Sequence, residues 1–208
     1  MRLYHGTIYD FESFPDFAHF GTEKAALQAI IKQIDSYFSD RKRQFGHSRL
    51  SLGKPRIIEV ELAIDTVPST RRDHGSFNKL ALADALDNLC GHTGRPHTGP
   101  VYNRFADEHF LTEGDRGSAE DALYCQLADI KTAFLERNIV AFGYTNNVED
   151  AGSSSVCVVC PQKSGLEVGN TRLVSEQELS ENLAGTVYNH PAMRVSRTFS
   201  QAYRAIYP

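Results

Sequence analysis

Three short stretches of the chain hold residues whose types and spacing suit chemistry. They are Tyr4-His5-Gly6-Thr7, then Ala18-His19-Phe20-Gly21-Thr22, then Tyr144-Thr145-Asn146-Asn147-Val148-Glu149-Asp150-Ala151-Gly152-Ser153-Ser154-Ser155. The first and third border predicted strand ends, where scaffolds present reactive groups. The third joins two apolar runs through ten mostly small and polar residues, and a hairpin turns in roughly two to five, so the extra length asks for a purpose. In the second stretch Gly21 permits close backbone approach to a ligand, and a helix opened by Thr22 offers unpaired N–H groups to an anion. Glu149 and Asp150 are the acids of the third stretch. One well-placed carboxylate suits cleavage of a glycosidic bond, because the oxocarbenium-like transition state gains from a nearby negative charge.

Each candidate has a plainer reading beside the functional one. His5 is also a strand-end histidine bonded to backbone, Glu149 and Asp150 are also solvated loop acids, and the serines at 153–155 also suit a flexible turn. Cys157-Val158-Val159-Cys160 lies in a β-branched run, where residues three apart point to opposite faces, so core packing of reduced thiols is expected over a redox or zinc role. His74, His92, His97 and His109 gather with Cys90 in one segment, but their spacing fits no standard zinc pattern, and no metal is expected. Residues 32–56 hold seven basic side chains against two acidic ones, and residues 107–121 hold six acids and Arg116, so a polarised surface is expected.

The elements that must position these residues can be read from periodicity and punctuation. Arg2 to His5 reads as a strand ending at Gly6. Thr22 is an N-cap for a helix over 23–38, with Leu27, Ile30, Ile31, Ile34 and Phe38 on its apolar face. A strand over 56–64 alternates Ile58, Val60, Leu62 and Ile64 toward one side. Residues from about 66 to 117 read as an inserted lid with one helix at 77–89 and a Gly/Pro/His-rich stretch. Ser118 and Asp121 form a capping box for a helix to about Asn138, carrying Leu123, Leu127, Ile130 and Phe134. Strands at 139–144 and 156–160 flank the polar loop 145–154. Ser175 and Glu178 cap a short helix, and the tail from about 185 to 208 shows aromatic residues without a clear period.

With 208 residues, 41% hydrophobic and 23% charged, the composition is that of a single globular domain and excludes disordered, collagenous and repeat-built chains. No apolar run approaches the length of a membrane span and no secretory leader opens the chain, which predicts a cytoplasmic protein without a membrane partner. A formal charge of −4 gives no bulk attraction for nucleic acid.

The order His-Gly-Thr after a strand, Phe-Gly-Thr opening an Ala-rich helix, and Gly-Tyr-Thr-Asn-Asn-Val-Glu-Asp-Ala-Gly-Ser-Ser-Ser entering a strand resembles the ADP-ribosyltransferase superfamily. It is most similar to small bacterial and phage members on the diphtheria-toxin and poly-ADP-ribose-polymerase side. The resemblance covers residues 2–38 and 118–165. It implies an α+β domain built on a split β-sheet with flanking helices, and NAD as a substrate that needs no metal. It also implies that His5 contacts the adenosine ribose, with Gly6 and Thr7 beside the nicotinamide amide. His19 and Phe20 fall where a tyrosine commonly opens the second motif, so Phe20 or Tyr144 would supply the aromatic partner of nicotinamide. Gly21 and Ser155 would also bind NAD, and Thr22, the helix N-terminus after it and a nearby Arg or Lys would give donors to the pyrophosphate. Ser155 occupies the usual place of the third-motif glutamate, so Glu149, with Asp150 as the alternative, becomes the acid.

The expected activity is that of a mono-ADP-ribosyltransferase, which releases nicotinamide and modifies a macromolecule, a protein before a nucleic acid. The resemblance implies a toxin, effector or phage-encoded modifier, working in the producer's cytoplasm or in that of a host. The alternatives are a non-catalytic NAD- or target-binding module of the same fold, an NAD glycohydrolase, or an enzyme that removes a 2′-phosphate from RNA.

Overall fold

The structure is a computed structural model that describes residues 1–40, 51–63, 67–70, 72, 79–92, 94–112, 119–184 and 199–207. In chain order the elements are strands β1 (Arg2–Asp10) and β2 (Ala18–Phe20), helix α1 (Glu23–Asp40), strand β3 (Ser51–Leu62), and helices α2 (Lys79–Leu89), α3 (Pro100–Thr112) and α4 (Ala119–Leu135). Strands β4 (Ala141–Asn146), β5 (Ser153–Val158) and β6 (Leu166–Leu173) come next, then helices α5 (Glu176–Ala184) and α6 (Phe199–Ile206). The fold is α+β. All strand pairs are antiparallel, in one sheet of order β1-β3-β6 and a second of order β2-β5-β4.

Strand alternation sorts the apolar residues into three buried groups. Leu3, Phe20, Ile58, Val60, Val156 and Val158 fill the space between the sheets. On the far side of the first sheet, Ile8 and Ile57 meet Ile30, Ile31 and Ile34 of α1, with Leu179 of α5 and Phe199 of α6. On the far side of the second, Phe142 and Cys157 meet Leu82 and Leu86 of α2, Phe105 of α3 and Phe134 of α4. The result is a helix–sheet–sheet–helix sandwich, in which α2 and α3 of the segment expected as an insertion cover one face of the second sheet.

Several elements depart from the sequence-based expectation for physical reasons. Strand β1 runs through Gly6 to Asp10, because Gly6 pairs with Ile57 and the ladder with β3 carries it onward. A Cβ at Gly6 would lie 1.9 Å from the Ala26 carbonyl oxygen, so the glycine lets α1 lie directly on the strand. The register shifts between Thr7 and Tyr9. There the Ile8 amide donates to Gln33 Oε1 at 3.1 Å, Gln33 Nε2 donates to the Gly6 carbonyl at 3.0 Å, and the Tyr9 amide donates to Thr7 Oγ1 at 3.0 Å. Helix α3, not expected, starts where Asp87 of α2 accepts the amides of Val101 and Tyr102 at 3.0 and 2.7 Å, a cap supplied by a different helix. Helix α6 sets Phe199, Tyr203 and Ile206 on one face, a period short enough to vanish among neighbouring aromatic residues. Strands β2 and β6 are also additions to the expected set, and the polar loop between β4 and β5 is shorter than expected, spanning 147–152.

Expectations for Ile64, His74, Ser118 and residues 41–50, with the side chains of Phe38, His109, Asp121, Leu123 and Cys125, lie outside what the structure describes. The Thr22 cap is present, its Oγ1 accepting the Ala25 amide at 3.1 Å. At α5 the Glu178 amide donates to Ser175 Oγ at 3.1 Å, while the Glu178 carboxylate turns to Arg172.

Candidate functional site at the junction of the two sheets

The two sheets touch where β1 meets the end of β2. The Tyr4 amide donates to the Gly21 carbonyl at 2.9 Å and the Gly21 amide to the Tyr4 carbonyl at 3.0 Å. One residue along, His5 Nδ1 lies 2.8 Å from the His19 carbonyl. A carbonyl only accepts, so Nδ1 carries the proton and the neutral ring keeps Nε2 as its acceptor. Phe11, Phe14 and Phe20 surround the ring with centroids at 6.0, 5.2 and 5.5 Å. Burial lowers the His5 pKa, the bond to the His19 carbonyl offsets this in part, and Arg56 lowers it further. His19 Nδ1 and the Tyr144 hydroxyl are hydrogen-bonded at 2.9 Å. Burial, then the neighbouring His5 and Lys32, push the His19 pKa down to about 3, which keeps that ring neutral at physiological pH.

Three amides of the loop 147–152 converge on one side chain. Asn146, buried at the end of β4, accepts the amides of Val148, Glu149 and Asp150 through Oδ1 at 3.0, 2.8 and 3.3 Å. Its Nδ2 donates to Ser155 Oγ at 3.2 Å. Ser155 in turn backs onto Gly21, where a Cβ would sit 2.7 Å from Ser155 Oγ. A strand-end asparagine that satisfies three successive amides fixes the direction of the acids that follow it.

Those two acids are held in different ways. Asp150 is bound through both oxygens: Thr22 Oγ1 donates to Oδ2 at 2.7 Å and Lys24 Nζ to Oδ1 at 2.8 Å. Burial alone would raise the Asp150 pKa, but the hydrogen bonds from Lys24, Thr22 and Ser153 outweigh it and the net shift is downward. Among the described residues the Glu149 carboxylate has one long contact, Oε1 to Lys32 Nζ at 3.5 Å. Lys24 and Lys32 are eight residues apart on α1 and set two ammonium groups beside the loop.

The three chemistry-bearing stretches of the sequence therefore meet. Tyr4, His5, His19, Gly21, Thr22, Tyr144, Asp150 and Ser155 form one connected set of contacts. Phe20 packs against the His5 ring. Gly6 lies under α1 and Thr7 is buried in the β1 bulge, with its hydroxyl accepting the Tyr9 amide. Tyr144 and Ser155 also line a cleft of about 430 Å3 with Met1, Ser69, Thr70 and Thr145, a size within the small-molecule range. A second hollow of about 220 Å3 lies by Phe11, Phe14, Arg56 and Val168, and neither is lined by His5, Glu149 or Asp150.

Sequence reasoning placed Asn146 in the third stretch and Lys32 in the basic run 32–56 without a role for either side chain, and did not single out Lys24 or Gln33. All four contacts depend on tertiary approach, which sequence spacing does not reveal. Cys157 belongs to the core, where burial pushes its thiol pKa well up. Among the described residues no three His, Cys, Asp or Glu side chains gather as a metal site, and no helix is long and apolar enough to cross a membrane. No family model, curated protein or solved structure matches this chain.

Proposed function

We propose that this chain is an NAD-dependent mono-ADP-ribosyltransferase of the split-sheet type, acting on a protein. The observation that carries the reading is the Thr22–Asp150–Lys24 contact. It ties the loop bearing Glu149 to the helix opened by Thr22, beside the strand junction that holds His5. In this reading the sheet junction binds NAD, with Lys24, Lys32 and the first turn of α1 facing the pyrophosphate. Glu149 is the catalytic acid and Asp150 a positioning residue, because both Asp150 oxygens are already bound while the Glu149 carboxylate has a single long contact among the described residues.

Glu149 accepts the ribose 2′-OH hydrogen bond and favours the charge that develops as the nicotinamide–C1′ bond breaks. Nicotinamide leaves with the bonding pair, the acceptor nucleophile forms the new bond to C1′, and its proton passes to solvent. His5, neutral and fixed through Nδ1, offers Nε2 to a ribose hydroxyl. One observation favours a second reading. Ser155, at the place of the family's glutamate, is buried and bonded to Asn146, as suits a module that keeps the fold without the reaction.

The test is transfer of label from adenylate-labelled NAD to lysate proteins by wild type, His5→Ala and Glu149→Gln. The transferase reading requires labelled bands from wild type and loss of about 10² or more in rate for Glu149→Gln. NAD binding with no nicotinamide release by any form, with lysate present, supports the non-catalytic module instead. Release without labelled bands indicates a glycohydrolase.

A further inference from the structure

Strand β6 stands at the end of the first sheet, and every residue from Glu167 to Leu173 is exposed. The described residues include three exposed large hydrophobic side chains, Met1, Val168 and Leu173, and two of them are on this strand, at 61% and 62% exposure. An edge of this kind is usually guarded by charged side chains, Lys above all, by Pro or by a bulge, and of these β6 carries Glu167, Arg172 and one bulge against β3. The sequence Leu166-Glu167-Val168-Gly169-Asn170-Thr171-Arg172-Leu173 has no Lys and no Pro.

We propose that this edge pairs with the same edge of a second copy of the chain, antiparallel about a two-fold axis between Gly169 and Asn170. The strand is complementary to its own reverse. Leu166 then stands opposite Leu173 of the second copy, Glu167 opposite Arg172, Val168 opposite Thr171 and Gly169 opposite Asn170. Leucine meets leucine and acid meets base in each half, as an isologous contact requires.

The faces agree as well. Leu166, Val168, Thr171 and Leu173 oppose Leu62, Val60, Ile58 and Arg56 of β3, so they share one face, and the two-fold axis sets that row against itself. Between Val168 and Thr171 β6 takes three steps where β3 takes two, which is a bulge against β3. The axis passes through the bulge, where Gly169 and Asn170 of one copy meet Asn170 and Gly169 of the other, and the bulge's change of face keeps Val168 and Thr171, like Leu166 and Leu173, on a common face across the new ladder. Arg172 is 42% exposed while it holds Glu23 and Glu178, which leaves it open to a further carboxylate. Val168 and Thr171 also wall the 220 Å3 hollow with Phe11, Phe14 and Ile58, so the contact surface continues past the strand.

The test is the solution mass of the full chain by light scattering and sedimentation. Small edge contacts bind weakly, so loading should span about 1 to 200 μM. The expected result is a rise from 23.2 kDa toward twice that value, and at least a tenfold weakening by the exposed double substitution Val168→Lys/Thr171→Lys with an unchanged circular dichroism spectrum. Register is read separately with Val168→Cys and Thr171→Cys chains in a Cys90→Ser background. A mixture of the two should form an interchain disulfide, and neither chain should do so alone, because only positions 168 and 171 face each other within bonding reach. A monomer at every loading, a dimer untouched by the lysines, or equal cross-linking by the single-cysteine chains would overturn the proposal.

Discussion

Strands β5 and β6 are close in length and lie in sheets of the same size, yet they have opposite surroundings. From Ser155 to Val158 β5 is buried, flanked by β2 and β4, and its first residues receive the Asn146 and Gly21 contacts that hold the acid loop. By contrast, β6 has one neighbouring strand among the described residues and is exposed from Glu167 onward. The difference shows where this molecule is over-determined. At the junction Asp150 is held by Thr22 and Lys24 and its loop by Asn146, and contacts from different elements of this kind keep a loop's geometry. At the β6 edge, the described residues leave the second side of the strand bare.

The contrast is sharpest under substitutions at the junction. Gly6→Ala has the largest expected effect, because its new methyl would meet the α1 backbone and not a yielding side chain. A loss of about 3 kcal/mol is expected by urea unfolding, since the helix and strand must separate to admit it. Asn146→Ala comes next. It leaves the amides of Val148, Glu149 and Asp150 without their acceptor, and a loss of about 2 kcal/mol is expected with faster amide exchange confined to 147–152.

Acid probes the same junction through His19. Its folded pKa of about 3 lies below the ordinary histidine value of 6.5, so the unfolded chain binds more protons below that pH. Stability is then full above about pH 6.5 and falls as the pH drops toward 3, by about 2 kcal/mol between pH 7 and pH 5. His5 adds in the same direction, and His19→Gln should flatten the slope in chemical denaturation. Asp150 acts lower: its contribution is present above the ordinary carboxylate range and is lost as acid passes its depressed pKa. Val168→Thr at the exposed edge gives the smallest effect, with unfolding of the dilute chain shifted by less than about 0.5 kcal/mol.

Legibility from sequence followed the same division. The apolar parts of β4 and β5, Ala141 to Tyr144 and Val156 to Val158, were readable because a strand covered on both faces is apolar there, whereas their polar ends, Thr145, Asn146 and the serines at 153–155, read as loop. Helix α1 was readable from its period and its Thr22 cap. Strand β6 was not, because Gly169 and Asn170 break its alternation and its ladder with β3 supplies what the side chains do not. The start of α3 depends on Asp87, which is distant in sequence from the amides it accepts. At the site, residue types pointed to His5, Glu149, Asp150, Gly21 and Thr22. What they could not give was how differently the two acids are held, which depends on Thr22, Lys24 and Lys32 approaching the loop in space.

If Glu149 is the catalytic acid and Asp150 positions its loop, the rate of nicotinamide release from NAD by wild type, Glu149→Gln and Asp150→Asn separates the two roles. The predicted result is a loss of about 10² or more for Glu149→Gln and a far smaller one for Asp150→Asn, whose amide oxygen still accepts the Thr22 hydroxyl. Equal rates for wild type and Glu149→Gln, or no release by wild type with lysate present, would contradict that assignment.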